Sequence, residues 1–275
     1  MKIALIGTSL FMICKVCCGQ YYFNDIILLQ QTNKIFAVIK YNKINTVTAE
    51  SMQADNTPTQ GFSYKRVIKN DAHLFVTSTS LEATGNTTTL EYYDNSRLVK
   101  SDDTTLNVAT DVTYTYNSDG NISTIETQTN DTSRNMHSME IHKWFYTNNI
   151  ADSMFRIKDG TDTTFVYFKK DDKQNLGEEI WMKKKHVIEH YYYYYDDKNR
   201  LTDIVRFNYR AQQMLPDFLF TYYENGTVSQ LTQIPQGSSD YIIWQYLYND
   251  KGLKDKDILF DKHQQLLGTI TYTYQ

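Results

Sequence analysis

The run His186-Val187-Ile188-Glu189-His190 has the H-x-x-E-H spacing of a zinc-dependent hydrolase signature. That chemistry needs a helix, where residues four apart share a face and both imidazoles reach one ion. Here the flanks are Lys183-Lys184-Lys185 and five consecutive tyrosines, Tyr191 to Tyr195, which favour a strand. In a strand, residues four apart sit roughly 13 Å from each other, so the expectation is polar positions on an exposed strand. His137 and His142 bracket Glu140, but five residues put them on opposite strand faces. His73 and His263 fall in turn regions. Asn117, Asp119, Gly120 and Glu126 imitate part of a calcium loop, yet Thr115 stands where the first Asp belongs and both flanks read as strands. No metal site and no cofactor is expected.

For nucleophilic chemistry the chain lacks a G-x-S-x-G elbow and a phosphate-cradling glycine loop. Its carboxylates are numerous, but Asp94, Asp119, Asp196, Asp197 and Asp250 all sit in Asn/Asp/Gly clusters where turn formation explains them. The residues left to form a site are aromatic. Trp181, Tyr193, Tyr195, Trp244, Tyr246 and Tyr248 recur on neighbouring extended stretches and could stack on sugar rings as a ladder. The competing reading is cross-strand pairing that stabilises the sheet.

These residues must be positioned by strands. The chain has 275 residues with 23 Tyr against 13 Phe, only 3 Pro and 11 Gly, and apolar and charged shares of 41% and 22%, an ordinary globular balance. Aromatics at alternate positions lead into a polar turn and then an aliphatic residue. Tyr114-Thr115-Tyr116-Asn117, Tyr193-Tyr194-Tyr195-Asp196 and Tyr246-Leu247-Tyr248-Asn249 are the clearest instances. The aliphatic residues after the turns, from Leu74 through Leu98, Ile122, Ile150, Leu176, Leu201 and Val228 to Leu253, are spaced by 24 to 28 residues. The pattern predicts about eight hairpins with a period of about 26, and an open sheet of that many strands must curl. The predicted fold is therefore an all-β, curled antiparallel meander. A helix over about Asp25 to Lys40, capped by Asn24 or Asp25, is expected to cover the open first end.

The Tyr-x-Tyr-Asn/Asp motif followed by Gly or Asn and an aliphatic residue resembles the tyrosine-aspartate (YD) repeat of the rearrangement-hotspot (RHS) family, over roughly Tyr92 to Leu253. It is also similar to short exported bacterial proteins with this repeat. The resemblance implies an extracellular or envelope location, a spiralling β-sheet, and roles in carbohydrate binding or toxin encapsulation. The family's Arg before the last aliphatic residue survives only as Arg97 and Arg200, and several copies lack the glycine.

At the N-terminus, Lys2, the apolar run Ile3 to Ile13 and small Gly19 read as a signal peptide, 1–19. Cys14, Cys17 and Cys18 are the chain's cysteines, so cleavage would leave a thiol-free mature protein. An anchored lipoprotein is the rival reading, against which Lys15 stands where a lipobox wants an apolar residue. Residues 20–275 are expected to form one β domain, with 20–42 as the helical cap and 43–275 as the sheet. Losing Lys2 and Lys15 takes the formal charge from −4 to −6, a poor match for nucleic acid. No later apolar stretch is long enough for a spanning helix. The functional expectation is a secreted or periplasmic, non-enzymatic binding or scaffold protein of the envelope, with glycan or another protein as partner. A glycan-acting hydrolase with an unrecognised carboxylate pair is the alternative.

Overall fold

The computed structural model describes residues 20–82, 84–208, 212–235 and 240–275. The expected leader, 1–19, lies outside them. A helical segment opens the fold, as a π-helical stretch Tyr22–Ile27 running into α1 (Leu28–Tyr41).

Strands follow without interruption: β1 (Thr46–Gln53), β2 (Ser63–Lys69), β3 (Leu74–Leu81), β4 (Gly85–Asp94), β5 (Arg97–Thr105) and β6 (Val108–Tyr116). Next come β7 (Ile122–Asp131), β8 (Met136–Thr147), β9 (Ile150–Lys158), β10 (Asp162–Lys170), β11 (Leu176–Lys183) and β12 (His186–Tyr195). The last are β13 (Leu201–Asn208), β14 (Gln213–Tyr222), β15 (Val228–Gln233), β16 (Ile242–Tyr248), β17 (Lys254–Asp261) and β18 (Leu266–Tyr274).

Each strand pairs antiparallel with the next, and β1 also pairs with β18 from Val47↔Tyr274 to Gln53↔Gly268. The amides of Asn45 and Thr46 both donate to the Gln275 carbonyl, which locks the seam. The sheet is therefore a closed 18-stranded barrel, which corrects the expected open, curled meander. Closure removes the two edges that an open sheet would leave with unpaired backbone groups. It also corrects the reading of the chain as a tyrosine-aspartate array of stacked hairpins with free ends.

What recurs is a turn and a tyrosine. In five turns one side-chain oxygen, of Asn117, Asp171, Asp196, Asn249 or Asp261, accepts the amides two and four residues on. The fourth turn residue takes positive φ, as at Gly120 (φ 84°) and Asn199 (φ 63°), which favours Gly or Asn there. At the ends of four strands a tyrosine hydroxyl reaches back to a carbonyl near the preceding turn, and two of these tyrosines, Tyr116 and Tyr248, stand directly before one of the five turns. Tyr116 donates to Leu98 at 2.7 Å, Tyr222 to Leu201 at 2.5 Å and Tyr248 to Val228 at 2.9 Å. Tyr274 makes the same bond to Lys254 at 2.6 Å. Phenylalanine could not, and this accounts for part of the tyrosine excess.

The helix is not a lid over a sheet end; it lies within the barrel, another correction. Phe23 packs on Phe218 and Phe220 of β14, while Phe36 stacks on Tyr93 of β4 at 4.1 Å and abuts Phe75 of β3. Phe23, Ile26, Leu29, Phe36 and Ile39 form the buried stripe, with Gln30, Gln31 and Lys40 exposed. Barrels of this strand number leave an aqueous channel when nothing occupies them. Here the helix supplies the missing core. Neither Asn24 nor Asp25 caps it. The helix start is held instead by Glu179 of β11, whose carboxylate accepts the amides of Tyr21 (2.7 Å) and Tyr22 (3.2 Å). A carboxylate at a helix N-terminus also opposes the positive end of the helix dipole.

Candidate functional site

Strand alternation turns all six aromatics singled out from the sequence toward the barrel interior. Trp181, Tyr193 and Trp244 are buried, and Tyr195, Tyr246 and Tyr248 are partly so. Tyr21 already covers the Trp181 ring at 4.3 Å, and Tyr22 meets Tyr193 edge-on. Lys254 sits 3.7 Å over the Tyr246 ring. Trp181 and Tyr193 pack the plug against the wall, the others face the interior, and the six do not form an exposed ladder. In β12, His190 faces outward and bonds Glu178 at 2.8 Å. Glu189 pairs with inward-facing Trp181, so the zinc-like motif is split between the two faces.

Charged side chains inside the barrel are largely paired. His142 of β8 donates to Asp25 of the helix at 2.6 Å and bonds Glu140 at 2.9 Å, and Arg156 donates to Glu140. Burial by itself would depress the His142 pKa, but the Asp25 and Glu140 carboxylates outweigh it and raise it to about 9. Burial would raise the Glu140 value, yet the bonds from His142 and Arg156 bring it down to about 2. Glu179 is pushed up by complete burial, against the pull of donors including the Trp181 indole and the Tyr193 hydroxyl. Asp217 bonds Arg206 at 2.9 Å, Glu91 bonds Arg66 at 2.9 Å, and Asp257 accepts from Lys254 and Tyr272.

At one rim the helix passes the turns of β4 to β9. A cleft of about 290 Å³ opens there, floored by Ile26, Leu29, Ile122 and Ala151 and walled by Asn33, Arg97, Asn121, Tyr146 and Asn149. A shallower hollow of about 390 Å³ lies beside it and shares Tyr146 and Asn149.

Local folding explains each wall. Asn148 and Asn149 form the two-residue turn between β8 and β9 with φ of 53° and 62°, a left-handed pair that asparagine tolerates. Asn121 closes the Asn117 turn, and its amide reaches Asn149 at 3.4 Å. Arg97 lies over the Tyr116 ring at 5.3 Å and against Gly120, where any Cβ would collide with the guanidinium. Asn33 is fixed by accepting the Leu98 amide at 2.9 Å. The Tyr146 hydroxyl is buried and has no hydrogen-bond partner. Burial, with Tyr22 and Asp25 nearby, raises its pKa, so it stays protonated and able to donate.

Sequence reading passed over this cleft. Its residues come from the helix, five strands and two turns spread between 22 and 151, and no local motif joins them. The one legible signal was the Asn-Asn pair before Ile150.

No family model and no curated relative matches the chain. Among solved structures, it is similar to a porin-like protein from Bacteroides uniformis ATCC 8492 at 8% identity and a TM-score of 0.40, over 84% of this chain and 98% of that one. A porin-like protein from Bacteroides vulgatus ATCC 8482 matches at 12% identity and a TM-score of 0.31, over 84% and 98%. The Photorhabdus luminescens Tc holotoxin pore matches at 12% identity and a TM-score of 0.31, over 86% of this chain and 17% of that one. Likenesses this distant leave the function to be argued from the chain's own residues.

Proposed function

We propose that this chain is an exported, non-enzymatic binding protein of the cell envelope, and that a saccharide unit occupies the rim cleft. The observation that carries the reading is the buried Tyr146 hydroxyl, unpartnered among the described residues, in the wall of a cleft lined by amides, a guanidinium, the Asp25 carboxylate, two further tyrosines and apolar side chains. Buried polar groups are normally satisfied, and an orphan in a concave site marks a place for a ligand group. Amides that both donate and accept suit a ring of hydroxyls.

Glycoside hydrolysis calls for two carboxyl groups facing one bond. Asp25 is the carboxylate of this cleft, and it already accepts from His142 and the Trp144 indole. The binding reading is therefore favoured over the hydrolase. Export is supported by the leader-like N-terminus. A spanning barrel is disfavoured by the outer wall of β1 to β7, where Glu50, Lys65, Lys100, Asp102, Asp111 and Glu126 interrupt any apolar band. Lysine or arginine at the middle of a lipid-facing strand costs about 2–4 kcal/mol.

The test is calorimetric titration of the mature protein with a panel of envelope-derived and plant oligosaccharides. Saturable binding that weakens about tenfold in Tyr146→Phe, as loss of one hydrogen bond predicts, supports the proposal. No binding across the panel would sink the saccharide, and binding indifferent to both Tyr146→Phe and Asn149→Ala would sink the location.

A further inference from the structure

The outer wall of the barrel is chemically two-sided. Across β8 to β12 the outward residues fall into two cross-strand rows. One runs Lys143↔Phe155↔Phe165↔Met182↔Val187, and the other Phe145↔Ser153↔Tyr167↔Ile180↔His190. The aromatics touch along and between the rows: Phe155 meets Phe165 at 4.7 Å between ring centres within one row, while Phe145 meets Phe155 at 5.6 Å and Phe165 meets Tyr167 at 4.1 Å across the two. They are not sheltered, since Phe145 and Tyr167 are each 44% exposed and Val187 is 52% exposed. The equivalent rows of β5 to β7 read Lys100↔Thr113↔Glu126 and Asp102↔Asp111↔Gln128, as a solvated wall should.

A contiguous apolar patch on one side of a barrel marks a docking surface, and its charges say what docks. Lys143 stands at one end of the first row, and Lys184 and Lys185 form the β11–β12 turn at the patch's edge; no acid among the described residues forms an ion pair with any of the three. Of the acids nearby, Glu178 pairs with Lys169 and hydrogen-bonds His190, Asp162 pairs with Lys183, Asp159 accepts the Met139 amide, and Asp152 is exposed in the bulge between β8 and β9. The adjoining turn Lys170 to Lys173 is balanced, with two charges of each sign. Three lysines, Lys143, Lys184 and Lys185, thus stand against Asp152 and Asp159, which leaves this face net cationic on a chain whose net charge is −4.

We infer that the β8–β12 face docks on an anionic phospholipid surface. Aromatic and aliphatic side chains enter the headgroup boundary while lysine stems snorkel so that their ammonium groups meet lipid phosphates. A second copy fits less well. The outer wall of a barrel is convex, so two such faces would touch along a narrow strip and bring their unpaired lysines together, whereas lipid headgroups conform to a convex surface.

The proposal stands independently of the cleft. It is tested by sedimenting the mature protein with phosphatidylcholine vesicles with and without phosphatidylglycerol. Binding is expected to the anionic vesicles and to weaken with salt. It should fall about tenfold in both Phe145→Ser/Tyr167→Ser and Lys143→Glu/Lys184→Glu, while Lys65→Glu on the opposite wall binds as the wild type. Unchanged near-ultraviolet circular dichroism shows that the variants fold. Absence of vesicle binding overturns the proposal, as does binding that ignores both patch variants. A dimer seen by light scattering and abolished by the same variants would assign the face to a second copy and equally overturn it.

Discussion

His142 on the barrel wall and Asp25 on the plug helix meet at 2.6 Å across 117 residues of chain, and Asp25 also accepts from the Trp144 indole at 3.1 Å. This contact ties the first turn of the helix to β8, beside the Glu179 anchor at its start.

The pair makes stability depend on pH with a definite sign. The His142 pKa rises from an ordinary value of about 6.5 to about 9 on folding. Its contribution is therefore fully present below about pH 6.5 and is lost as pH climbs through about 9. Glu140 works in the opposite sense, contributing above its unfolded value and losing that contribution as pH falls toward about 2. Urea midpoints of wild type and His142→Gln should differ most just below about pH 6.5, shrink above it and converge in alkali. A gap that stays constant up to pH 10 would contradict this.

Glu179 is the acceptor for two backbone amides, an indole and a phenol. Glu179→Ala leaves these buried donors without a partner, at about 1–3 kcal/mol for each group left unsatisfied, so a loss of about 3 kcal/mol or more is expected. Glu179→Gln keeps one oxygen but presents an amide to donors, and should fall between alanine and wild type. Denaturant unfolding measures both, and helix release can be read from protease sensitivity around Tyr21.

Tyr116, Tyr222, Tyr248 and Tyr274 each hold a backbone carbonyl near the preceding turn. Tyr→Phe at any one should cost about 0.5–1.5 kcal/mol. Substitutions at Tyr116 and Tyr248, which share no partner, should add. The comparison is Tyr194→Phe, whose side chain is 49% exposed on the outer wall and should change stability little. Equal effects at both kinds of site would refute a structural role for the hydroxyl.

Much of the local architecture was legible because it rests on local rules. Alternation in Val112, Tyr114 and Tyr116 marked an inner face, the Asn/Asp/Gly clusters marked turns, and the apolar residues from Ile27 to Ile39 marked a helix. The same alternation left the role of Trp181 and Tyr193 open, since a period of two names a face without saying what covers it. The covering group, Tyr21 and Tyr22, comes from a helix more than 150 residues away. The carboxylate that holds the helix start lies at a similar separation, in β11, so the cap sought at Asn24 or Asp25 had no local signature.

The amino-acid sequence by itself determined an all-β chain of tyrosine-rich strands with polar turns, because strand alternation and turn chemistry act over a few residues. Only the tertiary structure decided that β1 meets β18, that the helix fills the barrel instead of covering an end, and that Asn33, Arg97, Tyr146 and Asn149 share one cleft. Each of these is a meeting of distant segments. It is set by closing a sheet edge or filling an interior, and its free energy belongs to the whole barrel.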